Sequence, residues 1–197
     1  MRGKFIVFEG ISGTGKETQA KLLKKYLAHK NIAATIVYHP TPELKRILSR
    51  WRKERRIDST TIVYLLLADR NDRVEQIIKP ALKRGEWVLS LRSWISALVY
   101  QGETPAQRVW ISHQFSELEP RPDFLFYFDI DPEIALARIN KRHESTGERL
   151  GTFETLHHLQ EKRNAYEQIL PSLPHHRINA RLTSNEMQQA VLQQIKL

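Results

Sequence analysis

The chain has no cysteine among its 197 residues. Disulfides, thiolate metal sites and cysteine nucleophiles are therefore excluded together, and a cytoplasmic setting is the expectation. No apolar run approaches the ~18 residues of a membrane span, and the opening MRGKFIVFEG holds too short an apolar stretch for a secretory signal. Neither membrane nor export is expected. Internal repeats and low-complexity tracts are missing as well. Acidic residues are the scarcer charged class, 22 against 31 Lys and Arg, for a formal charge of +9. That balance suits nucleic acid, an anionic surface or a phosphorylated small substrate, and does not choose among them. Hydrophobic residues at 41% and charged residues at 27% are ordinary for a folded protein, and the length fits a single domain, residues 1–197.

What is present is alternation. Apolar or β-branched runs predict strands over 5–8, 33–38, 87–91, 124–129 and 176–179. Helical spacing predicts helices over 16–28, 59–83 with a break at Pro80, 96–101, 104–117, 132–142, 152–170 and from Ser184 onward. Two prolines in His39-Pro40-Thr41-Pro42 predict a turn leading into a substrate-side loop. Strands alternating with helices imply an α/β fold, a mostly parallel sheet with helices on both faces. The polar stretch of about 141–151, with Gly147, Gly151, Lys141, Arg142, His143 and Arg149, reads either as a flap or as a solvated loop.

Gly10-Ile11-Ser12-Gly13-Thr14-Gly15-Lys16-Glu17-Thr18 follows the first strand and opens the first helix, the context a phosphate-binding loop requires. Its three glycines let backbone N–H groups turn inward, the helix N-terminus favours anions, and Lys16 would reach the β- and γ-phosphates of ATP. The competing reading is a glycine-rich turn with a surface lysine. Glu17 stands where a Ser or Thr hydroxyl usually meets Mg2+. Thr18 points about 100° away on the helix and is no substitute. Glu17 is left to bind the ion directly or through water, or to swing away, the last two being favoured.

Beyond this loop the chain resembles the thymidylate kinase family. The matching stretches are Phe8-Glu9-Gly10 with the loop, Ala68-Asp69-Arg70, Ile77 to Leu82 with Gly85, Leu91-Arg92, Ser96 to Gly102, Asp129 to Pro132, and Phe153-Glu154. The resemblance implies a three-layer P-loop NTPase fold with a five-stranded parallel sheet and a flap. It further implies a homodimer that moves the terminal phosphate of ATP to dTMP or a related deoxynucleoside monophosphate with Mg2+. Carried over by position, Arg70 and Arg92 hold the acceptor, Arg92 near its phosphate. Glu9, Leu66, Ser96 and Tyr100 belong to the acceptor site, and Glu154 and Glu9 are acidic positions near the metal, with Glu17 of the loop itself as the other metal candidate. Gly13 stands where some members carry a loop arginine. That absence implies that the flap supplies the cation, from Arg142 or Arg149, with Arg138 as a less mobile third.

Four positions depart from the family pattern. Ser12 replaces an acidic residue at the acceptor sugar, Leu66 replaces an aromatic residue that stacks on thymine, Leu91 replaces the aspartate before Arg92, and Glu17 replaces the loop hydroxyl. Glu17 and Leu91 motivate an alternative, a non-catalytic nucleotide-binding or regulatory protein on the same fold. A nucleic-acid-binding domain is a third reading, but no helix-turn-helix or aromatic stacking signature accompanies the charge, and no nucleic-acid partner is expected.

Overall fold

The structure is a computed structural model and describes residues 3–147 and 153–196. Five strands, β1 (Phe5–Glu9), β2 (Ala34–Tyr38), β3 (Trp87–Leu91), β4 (Phe124–Asp129) and β5 (His176–Asn179), form one parallel sheet in the order β2-β3-β1-β4-β5. Every residue of β1 and β3 is buried, as expected of central strands covered on both faces. In register, Phe8 lies opposite Leu91 on one side and Phe126 on the other. The carboxyl ends of β1 and β3 are thereby side by side, and the loop after each opens at the same edge.

The helices are α1 (Lys16–His29), α2 (Pro42–Glu54), α3 (Ser59–Arg73), α4 (Lys79–Lys83), α5 (Trp94–Gln101), α6 (Pro105–Ser116), α7 (Pro132–Thr146), α8 (Leu156–Ile169) and α9 (Ser184–Ile195). One core joins the inner strands to buried positions on these helices, such as Leu23 and Leu27 of α1 or Ala135 and Ile139 of α7. No helix among the described residues is long and apolar enough to cross a membrane.

Three sequence expectations are corrected. The segment after His39-Pro40 is a helix, not a loop: Thr41 caps it by accepting from the Leu44 N–H at 3.2 Å, and Pro42 stands at the first turn, where a missing N–H costs nothing. Pro80 does not break the 59–83 helix. A π-helical turn at Val74–Ile78 leads into α4, and Pro80 occupies that helix's first turn. Finally, α7 runs to Thr146, so Lys141, Arg142 and His143 are helical and Gly147 is its left-handed cap at φ 68. The rest of the expected flap, with Arg149 and Gly151, lies outside the described residues.

Candidate active site

The loop between β1 and α1 is built as its glycines suggested. Gly13 and Gly15 both sit at φ +83, and Gly15 caps α1. Ile11 is buried in the core, and buried Thr14 donates its hydroxyl to the Ile11 carbonyl at 3.3 Å. Lys16 reaches back and donates to the same carbonyl at 2.8 Å, which holds its Nζ along the loop. Ser12 is half-buried, and Thr18 is exposed. Gln19 on α1 donates to the carbonyl and hydroxyl of Ser184, tying this helix to the start of α9.

Arg92 follows β3 and takes φ +75, a strained conformation for a residue with a side chain. Its surroundings clamp it. Its N–H donates to the Phe8 carbonyl at 3.0 Å, and its own carbonyl accepts from Ser90 Oγ at 2.7 Å. The guanidinium lies 4.8 Å from the Tyr100 ring centre and donates to Ser96 Oγ at 3.0 Å, to the Tyr100 hydroxyl at 3.2 Å and to the Tyr166 hydroxyl at 3.4 Å. Burial works against its charge, but Tyr100, Tyr166 and Glu9 outweigh it and raise its pKa.

Glu9 is fully buried beneath this cluster. One oxygen accepts from the Ser93 N–H and hydroxyl, each at 2.8 Å, and the other from Ser96 Oγ and Tyr166 OH, each at 2.7 Å. Both oxygens are thus engaged by the protein, and through Ser96 and Tyr166 the carboxylate supports the Arg92 cluster. Arg70 is likewise engaged within the protein. It is fully buried on α3, its fork turned onto Glu119, with Nε 2.9 Å from Oε2, and its terminal nitrogens donate to Ser90 Oγ. Glu119 also accepts from the Trp94 N–H at 3.3 Å, and Ser90 grips the Arg92 carbonyl. Arg70 therefore holds up the turn that carries Arg92, and its guanidinium faces the interior.

Leu66 is 6% exposed and Leu91 5%, both part of the core. Little of Leu66 is open to a base. Arg138 is committed to the Ala180 carbonyl at 2.8 Å. Arg142, near the end of α7, donates to Glu154 at 3.1 Å, and His143 lies 3.5 Å from the other Glu154 oxygen. Burial and then the Arg92 guanidinium hold the Lys16 ammonium well below the ordinary lysine range; Arg142 adds to this, while Glu9 and Glu17 oppose it. Arg92 and Arg142 thus both act on the Lys16 charge although their elements are far apart in sequence.

The metal ligands expected from sequence do not come together. Glu17 turns to Lys21 at 2.8 Å and receives the Tyr38 hydroxyl at 3.4 Å, and the Lys21 hydrogen bond lowers its pKa. Its carboxylate is thus directed along α1 to the residue one turn on. Glu154 is occupied by Arg142 and His143, Glu9 by its four donors, and residue 91 is apolar. Among the described residues no group of three or more His, Asp or Glu is placed to hold an ion. These carboxylates thus form no ion cage of their own, while Mg2+ at phosphates ordinarily takes only one or two protein carboxylates.

Tyr166, Ser93, Ser90 and Glu119 escaped sequence reasoning. Glu9 and Tyr166 stand 157 positions apart, so no local spacing could join them. Beside the site, at the ends of β4 and β5, lies a cleft of about 380 Å³ bordered by Asp129, Asp131, Arg163, Arg177 and Arg181. Its charges pair among themselves, Arg163 Nε standing 2.8 Å from Asp129 and Arg181 bonding Asp131.

A family model described as thymidylate kinase matches residues 8–191. A thymidylate kinase of Akkermansia muciniphila is 37% identical over 150 residues, 73% of this chain and 70% of the relative. A probable thymidylate kinase of Pyrococcus horikoshii is 36% identical over 194 residues, 94% and 92% of the two chains. A thymidylate kinase of Leptospira interrogans is 35% identical over 193 residues, 96% and 90%. With the glycine loop, the parallel sheet and the Arg92 cluster in place, this similarity along nearly the whole length means that the chain belongs to the thymidylate kinase family.

Proposed function

We propose that residues 1–197 act as one kinase domain that transfers the terminal phosphate of ATP to dTMP, or a related deoxynucleoside monophosphate, giving the diphosphate. The observation that carries the reading is geometric: the glycine loop after β1 holds Lys16 Nζ along it, 2.8 Å from the Ile11 carbonyl, and the turn after the neighbouring strand β3 carries Arg92 at the same sheet edge. Cations gathered at a glycine loop with their nearest carboxylates already engaged are relieved by a bound polyanion.

In this reading the loop amides and Lys16 take the ATP phosphates, and the cleft beside β4 and β5 leaves room for the adenosine end. Arg92, steadied on the Tyr100 ring, holds the acceptor phosphate, and Arg142 neutralises charge on the phosphoryl group in flight. The acceptor phosphate is already an anionic nucleophile, so positioning and charge neutralisation carry the rate and no general base is needed. The alternative of a binder without turnover gains no support from relatives that are named as kinases.

The reading extends to a cytoplasmic homodimer. Support for the dimer is an apolar patch on α3 and α6, where Tyr64 and Val109 are 57% and 71% exposed and the Tyr64 ring meets Trp110 edge-on at 5.7 Å. The enzymatic reading is tested by ADP release from ATP with a panel of purine and pyrimidine monophosphates. Turnover with dTMP leading the panel is expected. A purine preference, or no ADP release with any acceptor, would overturn it.

A further inference from the structure

A buried carboxylate and a half-buried guanidinium in one cluster normally close into a direct ion pair, since each offsets the other's desolvation cost. Glu9 and Arg92 do not. Two hydroxyls stand between them: Ser96 Oγ and Tyr166 OH each lie 2.7 Å from Glu9 Oε2, and Arg92 Nη1 points at both, at 3.0 and 3.4 Å. A hydroxyl carries one proton. Given to Glu9, it leaves only lone pairs facing Arg92, so each hydroxyl is donor on one side and acceptor on the other.

We infer that Tyr166, from α8, is a positioning residue that keeps Arg92 from closing onto Glu9, so that the guanidinium retains its charge for the acceptor phosphate. Ser96 sits on α5, close to Arg92 in sequence, whereas Tyr166 reaches in from a separate helix and is fully buried, with the Tyr127 ring 5.2 Å away holding its plane. Burial and then the Glu9 charge push the Tyr166 hydroxyl pKa well up, so it keeps the proton it donates. The orienting force is geometric. Without the Tyr166 hydroxyl, one of the four donors to Glu9 is lost, and Arg92 Nη1, which points at that hydroxyl from 3.4 Å, is placed to replace it.

The inference rests on the assignment of Arg92 to the acceptor phosphate, and the test separates the two. Tyr166→Phe keeps the ring and removes only the hydroxyl. Affinities are measured by calorimetry for dTMP and, with ADP saturating the loop, for inorganic phosphate, whose hold on Arg92 does not depend on the acceptor's base. In Tyr166→Phe the KM for dTMP and both affinities should weaken about tenfold, as for a lost hydrogen bond to a charged group, while the KM for ATP and the melting temperature stay near wild type. Adding Glu9→Gln to Tyr166→Phe should recover most of the loss, because a neutral amide no longer draws Arg92 inward. A merely structural tyrosine would not be rescued this way. Unchanged phosphate affinity in Tyr166→Phe, an equal loss for ATP, or no recovery in the double variant would overturn the inference. A wild-type protein that binds phosphate but not dTMP would instead overturn the acceptor assignment, with the phosphate titrations still deciding the role of Tyr166.

Discussion

Replacing Gly13 with alanine should damage the glycine loop through two separable costs, and Gly15 provides the internal comparison. Both glycines sit at φ +83, so either substitution meets the left-handed penalty of about 1–2 kcal/mol. Their surroundings differ. A Cβ at Gly13 would stand 2.5 Å from the Ala135 carbonyl oxygen and 3.0 Å from its carbon and Cα, all backbone of α7 that has no rotamer with which to yield. At Gly15 it would meet only the terminal methyl of Met187, at 3.6 Å. Overpacking of the first kind adds about 1–3 kcal/mol. Gly13→Ala should therefore lose roughly 2–5 kcal/mol and Gly15→Ala roughly 1–2 kcal/mol, against a total stability on the order of 5–15 kcal/mol. Urea denaturation of the two variants measures the gap, and ATP titration reports whether the loop survives. Gly13→Arg meets the same obstacle and should not supply the loop cation that some family members carry. Equal stabilities for the two alanine variants, or a larger loss at Gly15, would refute the claim that the α7 backbone closes the space at residue 13.

Three further outcomes follow from the site. Arg70→Ala leaves Glu119 buried without its partner and should cost about 3–5 kcal/mol in chemical denaturation; replacing the pair with Met and Leu together should recover most of it, and an unchanged Arg70→Ala protein would contradict the pairing. The depressed pKa of Lys16 means that between this value and the ordinary 10.5 the unfolded chain binds a proton that the free folded protein lacks, so this group's contribution to stability rises with pH there. Bound phosphate restores the charge, so ATP affinity should weaken as pH climbs through the depressed pKa, with proton uptake on binding measurable by calorimetry in buffers of different ionisation heat; no uptake in that window would count against it. Leu66→Phe should overpack the core by about 1–3 kcal/mol without tightening dTMP binding, and a calorimetric gain in affinity would show that the residue reaches the base after all.

The sheet was legible because its strands are short apolar runs closed by recognisable stops. The bounds of β3 and β4 match the reading from sequence, and Asp129-Ile130-Asp131-Pro132 marks the passage from β4 into α7. Local signals misled where one residue has two uses. Pro42 read as a breaker but starts α2, and Pro80 read as a break but follows a π-helical turn that no periodicity announces. The glycine loop was readable since its chemistry lies within nine consecutive residues. The partners of Arg70 and Glu9 were not, because Glu119 and Tyr166 come from other elements and only the fold brings them near. An arginine that appears suited to a ligand is, in sequence, indistinguishable from one that holds up its neighbour.

The most direct measurement follows a label in the terminal phosphate of ATP during incubation with dTMP, for the wild-type protein and for Lys16→Ala and Arg92→Ala. The account predicts that the label appears in dTDP with the wild type and that both variants suppress this transfer while remaining folded by circular dichroism. Label released as inorganic phosphate, or transfer to dTDP that persists in both variants, would contradict it.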